Sequence, residues 1–262
     1  MRDDLFRGEL VAALSRRSPA FTPPTRPDNL SRTEELTAAL GRRTPAFAPD
    51  SRRRPPRRPG ADLRNQNLAQ ADLRHTDLRG ARLDAAVLAG ADLREALLTS
   101  ADLSYADLSY ADLSGADLRG ARLEKADMTR ARVSDADLAR GILASAKLVG
   151  TDLRRSALVE CDLRDTHLGS AMLLEADLTG ADLTFSTLVG ADLRRATLSR
   201  AVLRDVDLAN VRLKGARWTS GTVWPGHAAP EIVKMSTETA PGIFQIDFPS
   251  KGEIPALSPA AG

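Results

Sequence analysis

ADLSYADLSYADLSGADLRG, residues 101–120, contains four copies of one five-residue unit, and this unit decides the fold. The same spacing extends in both directions, because every fifth residue from Leu63 to Leu213 is leucine except Met128 and Val133. The residue two places before each of these is small, and it is alanine in 21 of the 31 units. A single repeat therefore accounts for more than half of the chain.

A period of five fits neither a helix nor a flat strand. Five helical steps of about 100° advance by about 140°, so the leucines would be distributed around a helix axis. In a strand, side chains alternate between faces, so an odd spacing would send successive leucines to opposite sides. The pattern instead predicts a short extended piece and a corner in each unit, wound into a solenoid whose units bury their leucines by stacking.

Units such as ADLRN at 61–65, ADLRE at 91–95 and ADLRR at 191–195 resemble the motif of the pentapeptide repeat family. The resemblance runs over residues 61–217 of 262. It implies an all-β solenoid, a right-handed quadrilateral parallel β-helix with four units per coil and nearly eight coils. We expect the interior to be filled by the leucine positions, with a tryptophan taking the last of them: Leu63, Leu113, Leu163, Leu213 and Trp218.

The chain before the repeat has a different composition. ELVAALSRRSPAF at 9–21 returns as ELTAALGRRTPAF at 35–47, which predicts a duplicated short helix within an N-terminal extension, residues 1–50. Helices this short are marginal in isolation. We expect either a weakly ordered, partly disordered extension or two copies of a docking motif.

Residues 51–60 form an arginine- and proline-rich linker between the extension and the β-helix, which spans 61–220. Its five arginines offer the chain's main opportunity for direct nucleic-acid contact, through a salt-sensitive electrostatic term that reads no sequence. They are Arg52, Arg53, Arg54, Arg57 and Arg58. A solvated spacer is the simpler interpretation.

Residues 221–262 are expected to form a C-terminal cap and tail. Trp218 and Trp224 can cover the last leucines, and Ile232, Val233 and Met235 can complete the cover from a short helix. The alternating segment from Ile243 to Phe248 predicts a strand whose free edge would allow a homodimer.

The walls of the solenoid differ in charge. Folding the sequence at a period of 20 places rows of aspartates beside rows of arginines, which predicts a self-neutralised surface. Another row, from Ala69 to Ala209, carries no charge. We expect a partner to bind at this row and at nearby apolar residues in the same coils: Val87, Ala89, Ile142, Val149, Val159 and Val189.

Several functional classes find no support in the sequence. No apolar run approaches the 18 or more residues of a membrane span, and the N-terminus lacks a secretory signal, so we expect a cytoplasmic protein. The three histidines have no spacing to cysteine or carboxylate typical of a metal site. Cys161, at a small inward position, is expected to be structural. We therefore expect no enzyme, no cofactor and no metal.

Two binding functions remain. The first is a scaffold that presents the walls of a rigid rod to a protein partner. The second is implied by the resemblance to the quinolone-resistance and toxin-immunity branch of the family, which imitates duplex DNA and binds DNA gyrase or topoisomerase IV. Its candidate acids here are Asp102, Asp107, Asp112 and Asp117.

Three features disfavour DNA mimicry. The repeat is close to neutral, with 24 acidic and 22 basic residues between 61 and 220, whereas that branch is markedly acidic. No phenylalanine occupies a central inward position, and the loops that several members need are missing. The sequence therefore favours the scaffold function, with a topoisomerase as the alternative partner.

Overall fold

The computed structural model describes residues 59–247. The duplicated extension, the five linker arginines, Phe248 and the rest of the tail lie outside these residues. From Asp62 onward, isolated parallel β-bridges join residues 20 apart, beginning with Asp62 to Arg82 and continuing to Thr197 with Arg217. Four five-residue units therefore make one coil, and successive coils stack in register.

The leucines of the repeat fill the inside of the coils. Leu63, Leu113, Leu163 and Leu213 are each no more than 1% exposed. The small residues two places earlier are also buried, apart from a few in the first coil such as Ala61 and Ala71, which have no coil stacked before them among the described residues. Apolar burial of this kind stabilises the fold by about 1.5 to 3 kcal/mol for each leucine side chain.

Polar residues at the small inward position are satisfied by backbone carbonyls. Thr151 Oγ1 donates to the carbonyl of Met128 over 2.7 Å, and Cys161 Sγ lies 2.9 Å from the carbonyl oxygen of Leu138. Both acceptors belong to the preceding coil. The interior therefore accepts short polar side chains without leaving their hydrogen-bonding groups unpaired.

Each unit ends in a tight turn. The backbone N–H of the next unit's first residue donates to the leucine carbonyl, as in Ala91 to Leu88 over 2.9 Å. The residue between them in the fifth position has a positive φ in every unit, and 23 of these residues are not glycine, with φ from 54° to 62°. A positive φ at the third residue of a turn normally favours glycine. The repeat thus holds many ordinary residues in the left-handed region.

The stacking defines four walls. Units that begin at residues 61, 81 and 101 form wall A, and the series continues every 20 residues. Wall B begins with the units at 66, 86 and 106, wall C with those at 71, 91 and 111, and wall D with those at 76, 96 and 116. In each unit, the second and fourth residues face outward on a wall, and the fifth lies at a corner.

The 20-residue register ends after Arg217. Val202 pairs with Val223, 21 residues away, so one extra residue interrupts the stacking near the predicted boundary at residue 220. The chain then forms a three-stranded antiparallel sheet in the order β1-β3-β2, with a helix between β1 and β2 in sequence. The elements are β1 (Arg217–Thr219), α1 (Ala229–Lys234), β2 (Ser236–Ala240) and β3 (Ile243–Ile246).

This C-terminal sheet corrects one expectation. The segment Ile243–Ile246 does form a strand, but β3 pairs with β1 on one side and with β2 on the other. The prediction of a free edge along this segment is therefore wrong. The long-range pairing places it at the centre of the sheet, and the edge strand is β2.

The two tryptophans pack together beside the last coil. Trp218 and Trp224 are 6% and 7% exposed, with ring centroids 6.0 Å apart in an edge-to-face arrangement. Phe244 stacks on Trp218 at 4.7 Å, and Ile232 on α1 is fully buried. Val233, which was expected to help cover this end, is instead 56% exposed.

Candidate interaction surfaces

The aspartates of the repeat are turn acceptors. All 16 aspartates in the second position accept a hydrogen bond from the backbone N–H two residues later, as Asp102 does from Ser104 over 3.0 Å. Asn67 accepts the same bond from Ala69. A short carboxylate or amide side chain makes this bond readily. The preference for aspartate before leucine thus has a local structural cause.

Eight of these aspartates also form an Asp-Arg fork, in which the arginine two residues later binds both carboxylate oxygens. In each fork Nε and Nη2 of the arginine lie within 2.9 Å of the two oxygens. The hydrogen bond from Arg64 lowers the pKa of Asp62 to about 2. The arginine of the fork likewise lowers the pKa of Asp72, Asp92 and Asp162. Much of the acidic surface is therefore neutralised within its own unit.

The four acids considered for DNA mimicry lie on four different walls. They are second residues of consecutive units, so Asp102 belongs to wall A, Asp107 to wall B, Asp112 to wall C and Asp117 to wall D. Three of them accept hydrogen bonds from a serine, and Asp117 forms a fork with Arg119. They do not form one continuous stripe.

The six apolar residues considered for partner binding divide among three walls. Val87, Ala89, Val149 and Val189 share wall B, whereas Ile142 lies on wall A and Val159 on wall D. Ile142 and Val159 do belong to the same coil as Val149, but a coil surrounds the axis, so membership in one coil does not create one surface. Only the four residues on wall B are brought together.

Exposed aromatic residues border the same wall. The repeat has three aromatic residues before Trp218, and each is about 60% exposed. Tyr105 and Phe185 lie at the corner between walls A and B, and Tyr110 lies at the corner between walls B and C. The sequence analysis missed these three residues. Folding the aromatic positions at a period of 20, as was done for the charges, could have found them.

Wall B is also the wall with the least charge from long side chains. Its second and fourth positions contain no arginine, and Lys147 is the basic residue there. Tyr105 receives the Nζ of Lys125 at 5.3 Å from its ring centre, and Arg130 lies 6.0 Å from the ring of Tyr110. Short side chains thus form a flat wall between corners that carry aromatic rings.

Asp107 lies between the two tyrosines in this coil. Its Oδ1 accepts the N–H and the hydroxyl of Ser109 at 3.0 and 2.6 Å, and its Oδ2 has no hydrogen-bond partner among residues 59–247. In the next coil, burial acts to raise the pKa of Asp127, but hydrogen bonds from Thr129 and the charge of Lys147 lower it overall. The wall therefore offers a carboxylate oxygen beside aromatic and aliphatic groups.

The described residues hold no constellation typical of catalysis. Burial raises the pKa of the Cys161 thiol to about 12, which disfavours the reactive thiolate. His75 pairs with Glu95 at 3.1 Å on an exposed corner, while His167 lies on wall B. Between residues 59 and 247, no three or more side chains of histidine, cysteine, aspartate or glutamate are grouped as a metal site requires.

Membrane insertion through a helix was also considered. In the part of the chain that the structure describes, none of the helices has the length and apolar character needed to cross a bilayer.

Comparison with known proteins gives a family and several structural neighbours. The family model described as pentapeptide repeats matches eight copies, at residues 60–94, 81–120, 106–143, 146–184 and 176–215. These matches together cover more than half of the chain. No curated protein matches it.

Solved structures of other pentapeptide repeat proteins are similar to this chain. One from the Arabidopsis thaliana thylakoid lumen is 29% identical over 36% of this chain and 66% of its own, just under two thirds of its length, with a TM-score of 0.36. Rfr23 from the cyanobacterium Cyanothece 51142 is 32% identical over 43% and 90%, with a TM-score of 0.33.

A third similar structure is trypsin-treated QnrB1, a plasmid-mediated fluoroquinolone resistance protein. It is 17% identical over 62% of this chain and 91% of its own, with a TM-score of 0.34. The repeated unit, the 20-residue stacking and the match of the family model agree. The chain belongs to the pentapeptide repeat family.

Proposed function

We propose that this protein is a non-enzymatic interaction module that binds a protein partner through wall B. The observation that carries the proposal is the coincidence of two features on one wall: all three exposed aromatic residues of the repeat border it, and no arginine stands on it. Exposed apolar groups gathered on one surface are typical of interaction sites. Aromatic side chains are also enriched among the residues that dominate binding energy.

The chemistry of wall B indicates the kind of partner. The partner surface is flat and apolar where it meets Val149 and Val189, and it carries an arginine opposite Asp107. Such an arginine would pair with the free Oδ2 of Asp107 and stack on Tyr105 or Tyr110. This pairing gives the interface both a charge match and an aromatic contact at its centre.

The test is a comparison of two double variants in the full-length protein. Tyr105→Ala with Tyr110→Ala removes the aromatic edge of wall B. Leu97→Ala with Met172→Ala removes two apolar side chains of similar character, 38% and 39% exposed, from walls D and C. A partner is identified by affinity capture and mass spectrometry, purified, and titrated against each variant by calorimetry.

We expect the tyrosine variant to bind the purified partner at least about tenfold more weakly, because interface aromatic residues commonly contribute 1 kcal/mol or more. The control variant should bind as the unchanged protein does. Equal loss in both variants, or no loss in the tyrosine variant, would show that wall B is not the binding surface.

The alternative function, a DNA-mimicking modulator of DNA gyrase or topoisomerase IV, requires a continuous row of accessible negative charge. The distribution of Asp102, Asp107, Asp112 and Asp117 over four walls and the neutralisation of aspartates in the forks weigh against it. A competition between this protein and DNA for purified gyrase separates the two functions, since a scaffold that binds through wall B does not displace DNA.

A further inference from the structure

Wall C contains a depression of about 500 Å³ that differs chemically from the rest of that wall. In four of the coils, wall C carries an Asp-Arg fork that fills the surface, as in Asp92 with Arg94. In the coils of Asp112 and Arg132, the fourth position is instead a serine, Ser114 or Ser134. The shorter side chains leave the depression between neighbouring rows of longer ones.

The unit 131–135 lacks the aspartate that caps its turn. In 16 units an aspartate oxygen in the second position accepts the backbone N–H of the fourth residue, so this N–H points toward the wall surface. Here Arg132 occupies the second position, and the N–H of Ser134 has no acceptor among the described residues. The hydroxyl of Ser134 makes only a long contact of 3.4 Å to that of Ser114.

Positive charge surrounds this free N–H. Arg130, Arg132 and Arg154 line the depression, and Asp152 is the acid that lines it with them. Arg154 is engaged by Asp152 at 2.6 Å, but Arg132 is only within 3.7 Å of Asp112 and remains 72% exposed. Arg130 has no carboxylate partner within 4.0 Å among residues 59–247. The lining therefore carries a net charge of +2.

We propose that this depression binds a phosphate monoester group, whose oxygens replace the carboxylate that aspartate supplies in the other units. One oxygen accepts the N–H and hydroxyl of Ser134, and the others accept N–H groups of Arg132 and Arg130. Guanidinium groups bind phosphate with strong, charge-assisted hydrogen bonds. Met172, 39% exposed at the rim, offers an apolar contact to whatever carries the phosphate. This inference is independent of wall B.

The test follows the backbone amide of Ser134 by nuclear magnetic resonance in the full-length protein. Inorganic phosphate, a phosphoserine peptide and the same peptide without phosphate are titrated separately at low salt. We expect a saturable shift of the Ser134 amide with both phosphates and none with the unmodified peptide. Tighter binding of the phosphoserine peptide would identify a protein-borne phosphate as the natural source, and equal binding would identify a free one.

Three variants make the test specific. Arg132→Gln should weaken phosphate binding at least about tenfold, because a hydrogen bond to a charged group is lost. Arg132→Asp restores the turn acceptor, so it should fold as stably as the unchanged protein and abolish binding. Arg212→Gln is the matched control: Arg212 holds the same position on wall C, 3.8 Å from Asp192, and lies outside the depression.

The proposal fails if the Ser134 amide does not respond to phosphate. It also fails if Arg132→Asp binds phosphate as well as the unchanged protein, or if Arg212→Gln weakens binding as much as Arg132→Gln.

Discussion

At the scale of single residues, backbone conformation is the main demand that the repeat places on its fifth position. Ala85 has a φ of 56° and Gly80 a φ of 62°, and both end a unit in the same way. An L-residue in this region costs roughly 1 kcal/mol or more, whereas glycine adopts it freely. The 23 residues other than glycine that hold this conformation are tolerated because the stacked coils fix the turn on both sides.

Exchanging the two residue types tests this account. Ala85→Gly should raise the free energy of unfolding by about 0.5 to 1 kcal/mol, since it relieves the left-handed conformation at an exposed site. Gly80→Ala should lower it by about 1 kcal/mol, although no atom lies within 4 Å of the added Cβ. Urea denaturation of each variant measures both changes. A loss of stability in both would indicate that φ is not the controlling factor.

Aspartate in the second position has a role that charge counting does not reveal. The sequence shows that aspartate often precedes leucine, and the charge pattern predicts a neutralised surface. The direction of the backbone N–H in the fourth position depends on the turn geometry, however, and no local pattern of side chains reports it. For this reason the turn cap, and the missing cap at Ser134, emerge only from the structure.

At the scale of elements, the C-terminal sheet and helix meet the last coil through aromatic contacts. Trp218 donates a hydrogen bond from Nε1 to Ser236 over 3.0 Å while its ring packs on Phe244 and Trp224. A solenoid whose last coil is uncovered exposes apolar groups to water. We therefore expect this cluster to act as the C-terminal cap.

Trp218→Ala should lower the free energy of unfolding by about 3 to 5 kcal/mol, the usual cost of removing a large buried aromatic side chain. Val233→Ala, at an exposed site on the neighbouring helix, is the control and should change it by no more than about 0.5 kcal/mol. Thermal unfolding followed by circular dichroism compares the two. If the two variants melt at the same temperature, the aromatic cluster does not stabilise the rod.

The sequence predicts some elements better than others for a physical reason. The leucine spacing predicts the inward residues because burial repeats with every unit. The number of units per coil does not follow from that spacing, so the wall on which Ile142 or Val159 lies required the family resemblance and then the stacking. Alternation from Ile243 predicts a strand, but its central place depends on pairing with residues far away in sequence.

At the scale of the whole molecule, the many Asp-Arg contacts link stability to pH. The pKa is lowered for eleven aspartates, among them Asp62, where hydrogen bonding by Arg64 brings it to about 2. A carboxyl group whose pKa is lower in the folded state binds protons less readily there than in the unfolded chain. Its stabilising contribution is complete above the unfolded value near 4 and is lost as the pH falls through the folded value.

The melting temperature should accordingly change little between pH 6 and pH 5 and fall progressively between about pH 4 and pH 2. Circular dichroism melts across this range measure the effect. Added salt should reduce the melting temperature at pH 6 only slightly, because exposed ion pairs contribute little individually. A melting temperature that stayed constant down to pH 2 would contradict the link between these carboxylates and folding.

The spacing of 20 residues between bridged partners, such as Asp102 and Arg122, also limits how this chain can grow or shorten during evolution. Duplicating a single five-residue unit keeps every leucine inside, yet it rotates all later residues by a quarter of a revolution and carries Phe185 away from the side that holds Tyr105. Duplicating four units preserves both interior and exterior. Selection on the outer surface therefore counts in steps of 20, while selection on the interior counts in steps of five.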